Sequence, residues 1–186
     1  MINRQNFFLF SLFGFFLAFK PIALAQNIDH AFRIIDSGST NLLENFLLTA
    51  EPDLQSENGR TMLAYAAKNN QLAIAKILLE KGARVNLADV AGVTPLHLAA
   101  RLGYDDFVEL LINYQADPDR QDFLGFTPLL RAVANQQKNA ALLLIEAGAN
   151  PEIVANNGED AYRLIINQDM LGLFVALIDS NRNLFY

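Results

Sequence analysis

Residues 89–100, Asp-Val-Ala-Gly-Val-Thr-Pro-Leu-His-Leu-Ala-Ala, are the stretch that decides the fold. A short polar segment ends at Gly92, a residue type that tolerates the positive φ of a tight turn. Thr94 suits a helix N-cap because its hydroxyl can accept a free backbone N–H, and Pro95 suits the first helical position because it has no N–H to satisfy. The stretch therefore predicts a turn followed by a helix over residues 95–102. We expect Gly103 to end that helix in the left-handed conformation.

A second helix is predicted over residues 105–114, and its apolar side chains recur at helical spacing. In the neighbouring units, Gly82 and Gly148 stand where such a helix would end. Gln115 occupies the same position here and departs from that rule, as Gln136 does at the end of a first helix. Each unit is thus predicted to consist of one turn and two short helices.

The pattern returns every 33 residues. A unit of this size cannot bury its apolar face alone, so successive units are expected to stack into a solenoid. The columns that keep the period are Gly59, Gly92, Gly125 and Gly158; Thr61, Thr94 and Thr127; Leu63, Leu96 and Leu129; Ala66, Ala99 and Ala132; and Leu78, Leu111, Leu144 and Leu177.

The sequence Asp89-x-x-Gly92-x-Thr94-Pro95-Leu96-His97-x-Ala99-Ala100 resembles the ankyrin-repeat signature. The units that begin near Ser56 and Asp122 are similar, although Met62 replaces the proline, and Ala64 and Leu130 replace the histidine. This resemblance implies an all-α ankyrin-repeat solenoid of helix–turn–helix units with hairpin-like turns. It also implies that His97 braces its turn through Thr94.

The period and the resemblance together divide residues 26–186 into units. The unit around Gly158 is degenerate, because Asp160-Ala161-Tyr162 replaces the expected Thr-Pro-Leu. The predicted division is an N-terminal capping helix pair at 26–55 with helices at 28–37 and 42–48, ankyrin repeats at 56–88, 89–121 and 122–154, and a degenerate C-terminal capping repeat and tail at 155–186.

Residues 1–25 have the pattern of a secretory signal peptide. Arg4 is followed by an apolar run over residues 7–19, and Ala23-Leu24-Ala25 supplies the small residues that precede a cleavage site. We expect cleavage before Gln26 and a product that is periplasmic in a Gram-negative bacterium, or secreted elsewhere. The alternative is an uncleaved membrane anchor, for which the apolar run is short, since a spanning helix needs about 20 residues.

Composition narrows the possible chemistry. The chain has no cysteine, and its two histidines, His30 and His97, are far apart in sequence, so neither a zinc site nor a thiol nucleophile is expected. There are 14 basic and 20 acidic residues. Loss of residues 1–25, with Arg4 and Lys20 and no acid, would leave 12 against 20 and a net charge of −8. That charge argues against nucleic acid and anionic membranes as partners. We predict no catalytic residue, no cofactor and no metal, and therefore not an enzyme.

Proteins that resemble this one bind through a concave groove, which is formed by the turns and the outward side of the first helices. The corresponding positions are polar at the two ends of the chain, at Glu57, Asn58, Arg60, Lys68 and Asn69 and again at Asn156, Asn157 and Glu159. They are mostly apolar in the middle, and an apolar patch with a polar rim is typical of an interface. The alternative is that the two phenylalanines of this patch pack sideways and hide each other. The predicted partner-binding residues are Val90, Val93, Arg101, Leu102, Phe123, Leu124 and Phe126.

The sequence therefore predicts a monomeric, non-catalytic protein-binding module that acts in the periplasm through this groove, as an adaptor or protector of an exported protein. Two alternatives remain open. One is an immunity-type inhibitor of a periplasm-acting toxin, and the other is a membrane-tethered scaffold if the signal is not cleaved.

Overall fold

The computed structural model describes residues 27–167, 170, 172, 173 and 175. The predicted signal peptide and its cleavage site lie outside the described residues. Within them the fold is helical, with an isolated bridge between Gln55 and Thr61 as its only strand-like pairing. The helices are α1 at 27–37, α2 at Thr40–Phe46, α3 at Met62–Lys68, α4 at Leu72–Glu80, α5 at Pro95–Leu102, α6 at Asp105–Asn113, α7 at Pro128–Ala134, α8 at Lys138–Glu146 and α9 at Ala161–Asn167.

The first helix of each central unit begins at a threonine, as predicted. Thr61, Thr94 and Thr127 all have an extended backbone, and each hydroxyl accepts the N–H of the residue three positions on. Pro95 and Pro128 occupy the first turns of α5 and α7. These caps satisfy N–H groups that a helix of seven or eight residues would otherwise leave free.

The helices of the three central units are followed by a residue in the left-handed conformation, whether or not that residue is a glycine. Gly103 has φ 70° as predicted, and Asn70, at the matching position, has φ 54°. Gln136 and Gln115 adopt φ 59° and φ 62°, although glutamine has no local preference for such a site. In each case the next residue donates a capping bond of 2.9 Å, from Gln137 N to Ala132 O and from Ala116 N to Leu111 O. The repeat geometry thus overrides the local preference of glutamine. Asp169, the equivalent residue of the last unit, lies outside the described residues.

One continuous core runs through the stacked units. The first helices α3, α5 and α7 pack side by side, and the second helices α4, α6 and α8 pack against them. Small side chains let the first helices approach closely, and the leucine columns fill the space between the two layers. The alanines Ala66, Ala67, Ala99, Ala100 and Ala132 and the leucines Leu63, Leu78, Leu96, Leu111, Leu129 and Leu144 are all buried.

Hydrogen bonds between loops also connect each unit to the next. A polar side chain in one loop accepts the backbone N–H of a residue 31 positions later, and this bond recurs three times. The pairs are Arg84 N to Asp53 Oδ1 at 2.9 Å, Asp117 N to Asn86 Oδ1 at 2.9 Å, and Asn150 N to Asp119 Oδ1 at 2.7 Å.

The N-terminal pair consists of α1 and α2, close to the predicted 28–37 and 42–48. Ser39 caps α2 through its hydroxyl, and Ala31, Ile35 and Leu43 are buried against the first full unit. Among the helices described, none combines the length and the apolar character that a membrane crossing requires.

Candidate functional site

The tips of the turns form a hydrogen-bonded row. Val90 N donates to Asn58 O, Phe123 N donates to Ala91 O, and Asn156 N donates to Leu124 O, each at 3.0 Å. The bonds join equivalent residues of adjacent units, so every tip is fixed to the next by its backbone. Side chains on these tips are consequently presented at a regular spacing on a rigid support.

Two aspartates close the central turns from within. Asp89 Oδ1 accepts the N–H groups of Ala91 and Val93 at 2.9 and 3.1 Å. Asp122 Oδ1 accepts those of Leu124 and Phe126 at 2.9 and 3.0 Å. These carboxylates shape the tips and are themselves nearly inaccessible to a partner.

The outer oxygen of each aspartate is bound by an arginine. Arg60 Nη2 lies 3.2 Å from Asp89 Oδ2, and Arg131 Nε lies 2.9 Å from Asp122 Oδ2. The negative charge of both turns is therefore compensated inside the protein.

Three of the predicted binding residues are exposed at the tips. Val90 is 65%, Phe123 72% and Leu124 60% accessible, and we call these three side chains the tip strip. Phe123 is therefore not hidden, although its ring lies beside Gly92 of the preceding turn and Phe126 is half-buried. Single exposed apolar side chains are common, whereas an apolar patch formed by neighbouring tips is typical of an interaction site.

The other four predicted residues lie in different surroundings. Val93 and Phe126 are half-buried and pack against the core, and the Arg131 guanidinium lies 4.5 Å from the centre of the Phe126 ring. These two side chains support the tips rather than project from them. Arg101 is exposed and Leu102 is half-buried, both at the C-terminal end of α5.

His97 connects two units. Its Nδ1 lies 3.2 Å from Thr94 N and 2.8 Å from Thr94 Oγ1, and its Nε2 lies 3.0 Å from Phe126 O. Because a backbone N–H can only donate, Nδ1 is the acceptor. The ring proton therefore lies on Nε2, which donates it to the Phe126 carbonyl. The bracing of Thr94 is thus confirmed, whereas the bond to Phe126 has no local signal in the sequence and follows only from stacking.

The neutral state of His97 is favoured by its surroundings. Burial lowers the pKa of His97 from its ordinary value of 6.5, and it does so against the opposing effects of the Phe126 carbonyl and of Asp122. The nearby Arg131 acts in the same direction as burial. A neutral ring is the form in which Nδ1 can accept from Thr94 N.

The first full unit contains a cation–aromatic cluster that the sequence analysis did not identify. Tyr65 packs on Phe32 with ring centres 4.4 Å apart, and the Arg60 guanidinium lies 5.8 Å from the Tyr65 ring. Lys68 Nζ lies 6.0 Å from the same ring, and the Lys68 residue is exposed. The sequence signal for this cluster is the position of Tyr65 in the repeat, which places an aromatic ring beside Arg60 and Lys68.

The described residues contain no group of three or more His, Cys, Asp or Glu side chains that could hold a metal ion. An open hollow of about 350 Å³ lies at the surface where α6 packs beside α8, and Glu109 and Glu146 are among its lining residues. Its other lining residues are Ile112, Asn113, Leu143 and Ala147.

Comparison with known proteins agrees with this architecture. A family model described as ankyrin repeats (3 copies) matches residues 31–122 and 92–155. Over 122 residues, 64% of this chain, the sequence is 34% identical to Ankyrin repeat and SAM domain-containing protein 6 of Mus musculus, of which 14% is covered. It is 33% identical over 129 residues to Probable 26S proteasome regulatory subunit p28 of Saccharomyces cerevisiae, with 67% of this chain and 57% of that protein covered.

A longer match, 24% identical over 170 residues, is to Putative ankyrin repeat protein L371 of Acanthamoeba polyphaga mimivirus, and it covers 86% of this chain and 22% of that protein. The chain thus spans between about a seventh and just over half of the length of these relatives. The family model, the 33-residue period and the capped helix pairs agree, and the chain belongs to the ankyrin-repeat family.

Proposed function

We propose that this protein is a non-catalytic binding module that holds a partner protein against the tip strip, as an adaptor or protector of an exported protein. The observation that carries the proposal is the exposure of Val90, Phe123 and Leu124 on a row of turns whose backbones are bonded to one another.

Burial of these side chains would supply much of the binding energy. Fully burying a large apolar side chain contributes about 1.5–3 kcal/mol, and aromatic residues are enriched among the positions that dominate binding energy. The turns that hold the strip are fixed by inter-unit hydrogen bonds and by Asp89 and Asp122. A partner would therefore not have to order the strip when it binds, so little of the gain is lost to entropy.

Affinity capture tests the proposal with matched variants. The wild-type protein would be compared with Phe123→Asp/Leu124→Asp, and with Leu48→Asp as control, since Leu48 is 76% exposed on the N-terminal pair, far from the tips in sequence. We expect a specific partner to be retained by the wild type and the control and to be lost by the double variant. Retention by the folded double variant would overturn the role of the strip. A partner that is captured only from extracts of a different strain would favour the immunity-type inhibitor of a toxin over the adaptor.

We also propose that the protein acts after export, as a periplasmic or secreted product. The support is the arrangement of Arg4, the apolar run at 7–19 and Ala23-Leu24-Ala25. N-terminal sequencing of the mature protein checks it, with Gln26 as the expected first residue. An intact Met1 in the membrane fraction would instead favour a tethered scaffold.

A further inference from the structure

Two cations in the groove lack a counter-charge within the described part of the chain. Lys68 and Arg101 occupy equivalent positions, 33 residues apart, in the last turns of α3 and α5. Both are exposed, and neither forms an ion pair with a residue in the described ranges.

The two buried carboxylates of the central turns are already paired. Asp89 is paired with Arg60 and Asp122 with Arg131, so neither aspartate compensates Lys68 or Arg101. Lys68 and Arg101 are therefore exposed positive charges that no ion pair among the described residues cancels, although the whole chain has a net charge of −6. A partner segment that docks here would meet positive charges, whereas the net charge of the chain is negative.

The spacing of these groups defines the shape of an occupant. α5 has eight residues, and at 1.5 Å per residue its ends lie about 12 Å apart, with the turn at one end and Arg101 at the other. Side chains alternate between the two sides of an extended chain, so one such chain can face both walls. Neighbouring helices pack about 8–10 Å apart, and acids two positions apart in an extended chain are separated by about 6.6 Å. The long side chains of Lys68 and Arg101 can make up the difference between the spacing of the helices and the spacing of the two acids.

We propose that the groove binds an extended segment of the partner protein in which acidic and apolar side chains alternate. The apolar side chains would lie on the tip strip, and two carboxylates would pair with Lys68 and Arg101. This inference rests on the proposed binding function and specifies the chemistry of the partner at the same site.

Helix stability is the competing explanation for both cations. A positive side chain in the last turn of a helix interacts favourably with the helix dipole. This effect explains why a cation is tolerated at residues 68 and 101, and it predicts a loss of stability when the charges are removed, without any change in binding.

Selection from a displayed library of random peptides tests the inference, because it does not require the partner to be identified first. Enriched peptides would be synthesised, and their affinities for four proteins measured by fluorescence anisotropy. These are the wild type, Lys68→Glu/Arg101→Glu, Phe123→Asp, and Lys76→Glu/Lys81→Glu as a control with the same change in net charge at exposed positions on and after α4. Thermal unfolding of all four would be recorded in parallel.

We expect the enriched peptides to contain alternating acidic and apolar residues. Their affinity should fall at least about tenfold in the groove charge variant and in Phe123→Asp. It should change little in the control, and it should weaken as salt is added.

Peptides that need Phe123 but show no acidic residues, or that bind the groove charge variant undiminished, would overturn this inference and leave the proposed function standing. Absence of enrichment would also overturn this inference alone, because affinity capture tests the binding of a folded partner, whereas peptides that bind Phe123→Asp as tightly as the wild type would overturn both. A lower unfolding temperature of the groove charge variant with unchanged affinity would assign the two cations to helix stability alone.

Discussion

At the scale of single residues, His97 is the side chain that joins two neighbouring units. It accepts from Thr94 N with one ring nitrogen and donates to Phe126 O with the other. A second proton on Nδ1 would face the Thr94 N–H, a donor, so the first of these bonds would be lost. The same protonation would place a charge in a buried site between Asp122 and Arg131.

The first prediction concerns acid sensitivity. The folded pKa of His97 lies below its value of 6.5 in the unfolded chain, so between the two values the unfolded state binds more protons. The His97 contribution to stability is therefore complete above pH 6.5 and is lost progressively as the pH falls below it. Chemical denaturation at pH 7.5 and pH 5 should show a larger decrease for the wild type than for His97→Gln. Equal decreases would show that His97 is not the group responsible.

The second prediction separates the two phenylalanines. Phe123 is 72% exposed, whereas Phe126 packs on the core beneath Arg131. Phe123→Ala should change the free energy of unfolding by no more than about 0.5 kcal/mol, as surface substitutions usually do. Phe126→Ala should cost about 1–3 kcal/mol, which is below the value for a fully buried phenylalanine. Denaturant titration measures both, and a reversed order would mean that Phe123, not Phe126, supports the turn.

At the scale of elements, the turns are held by close approach between neighbouring backbones. Gly125 has φ 79°, and a Cβ added there would lie 2.7 Å from Asn156 N and 3.0 Å from Ala155 Cα. Gly82 has φ 88° at the end of α4, but a Cβ added there would meet nothing within 4 Å. The two glycines therefore share the backbone requirement and differ in the space around them.

The third prediction uses that difference. Alanine at either position should cost about 1–2 kcal/mol for the left-handed backbone, and Gly125→Ala should cost more than Gly82→Ala because the adjacent turn must also move. The measurement is the unfolding midpoint of the two variants under identical conditions. Similar midpoints would contradict the tight packing of the tips.

The fourth prediction concerns a glutamine that is held in the left-handed region. Gln136 has φ 59° at the end of α7, and glycine adopts that conformation without the steric cost. Gln136→Gly should raise the free energy of unfolding by up to about 1 kcal/mol. Asn139→Gly, in the first turn of α8, is the matched control and should lower it by about 0.3 kcal/mol. A loss of stability in both variants would show that the glutamine side chain makes a contribution larger than the strain.

The elements themselves could be predicted from sequence. Thr94, Pro95 and Gly103 fix both ends of α5, and the structure has that helix at the predicted residues. The left-handed glutamines could not be predicted, because stacking between units, and not local preference, sets their conformation. The same is true of Arg60 and Arg131, whose ion pairs depend on which turn folds beside them.

At the scale of the whole molecule, each unit depends on its neighbours for apolar packing and for hydrogen bonds that a single unit cannot form. The hydrogen bonds that Asp53, Asn86 and Asp119 accept recur along the loops between units, and the backbone hydrogen bonds between tips recur along the turns. The sequence period predicted this continuity and placed Val90 and Phe123 on the turns. It could not predict which of the groove residues are exposed, since Val93 and Phe126 are half-buried while Val90 and Phe123 project outward.

The measurement that tests the central claim most directly is site-specific photo-crosslinking in the cells that make this protein. A photoreactive phenylalanine analogue would replace Phe123 in one variant and Leu48, the exposed control position, in another. We predict a discrete crosslinked adduct with a partner protein from position 123 and none from position 48. An adduct from position 48 alone, or from both positions equally, would contradict the claim that the tip strip is the binding surface.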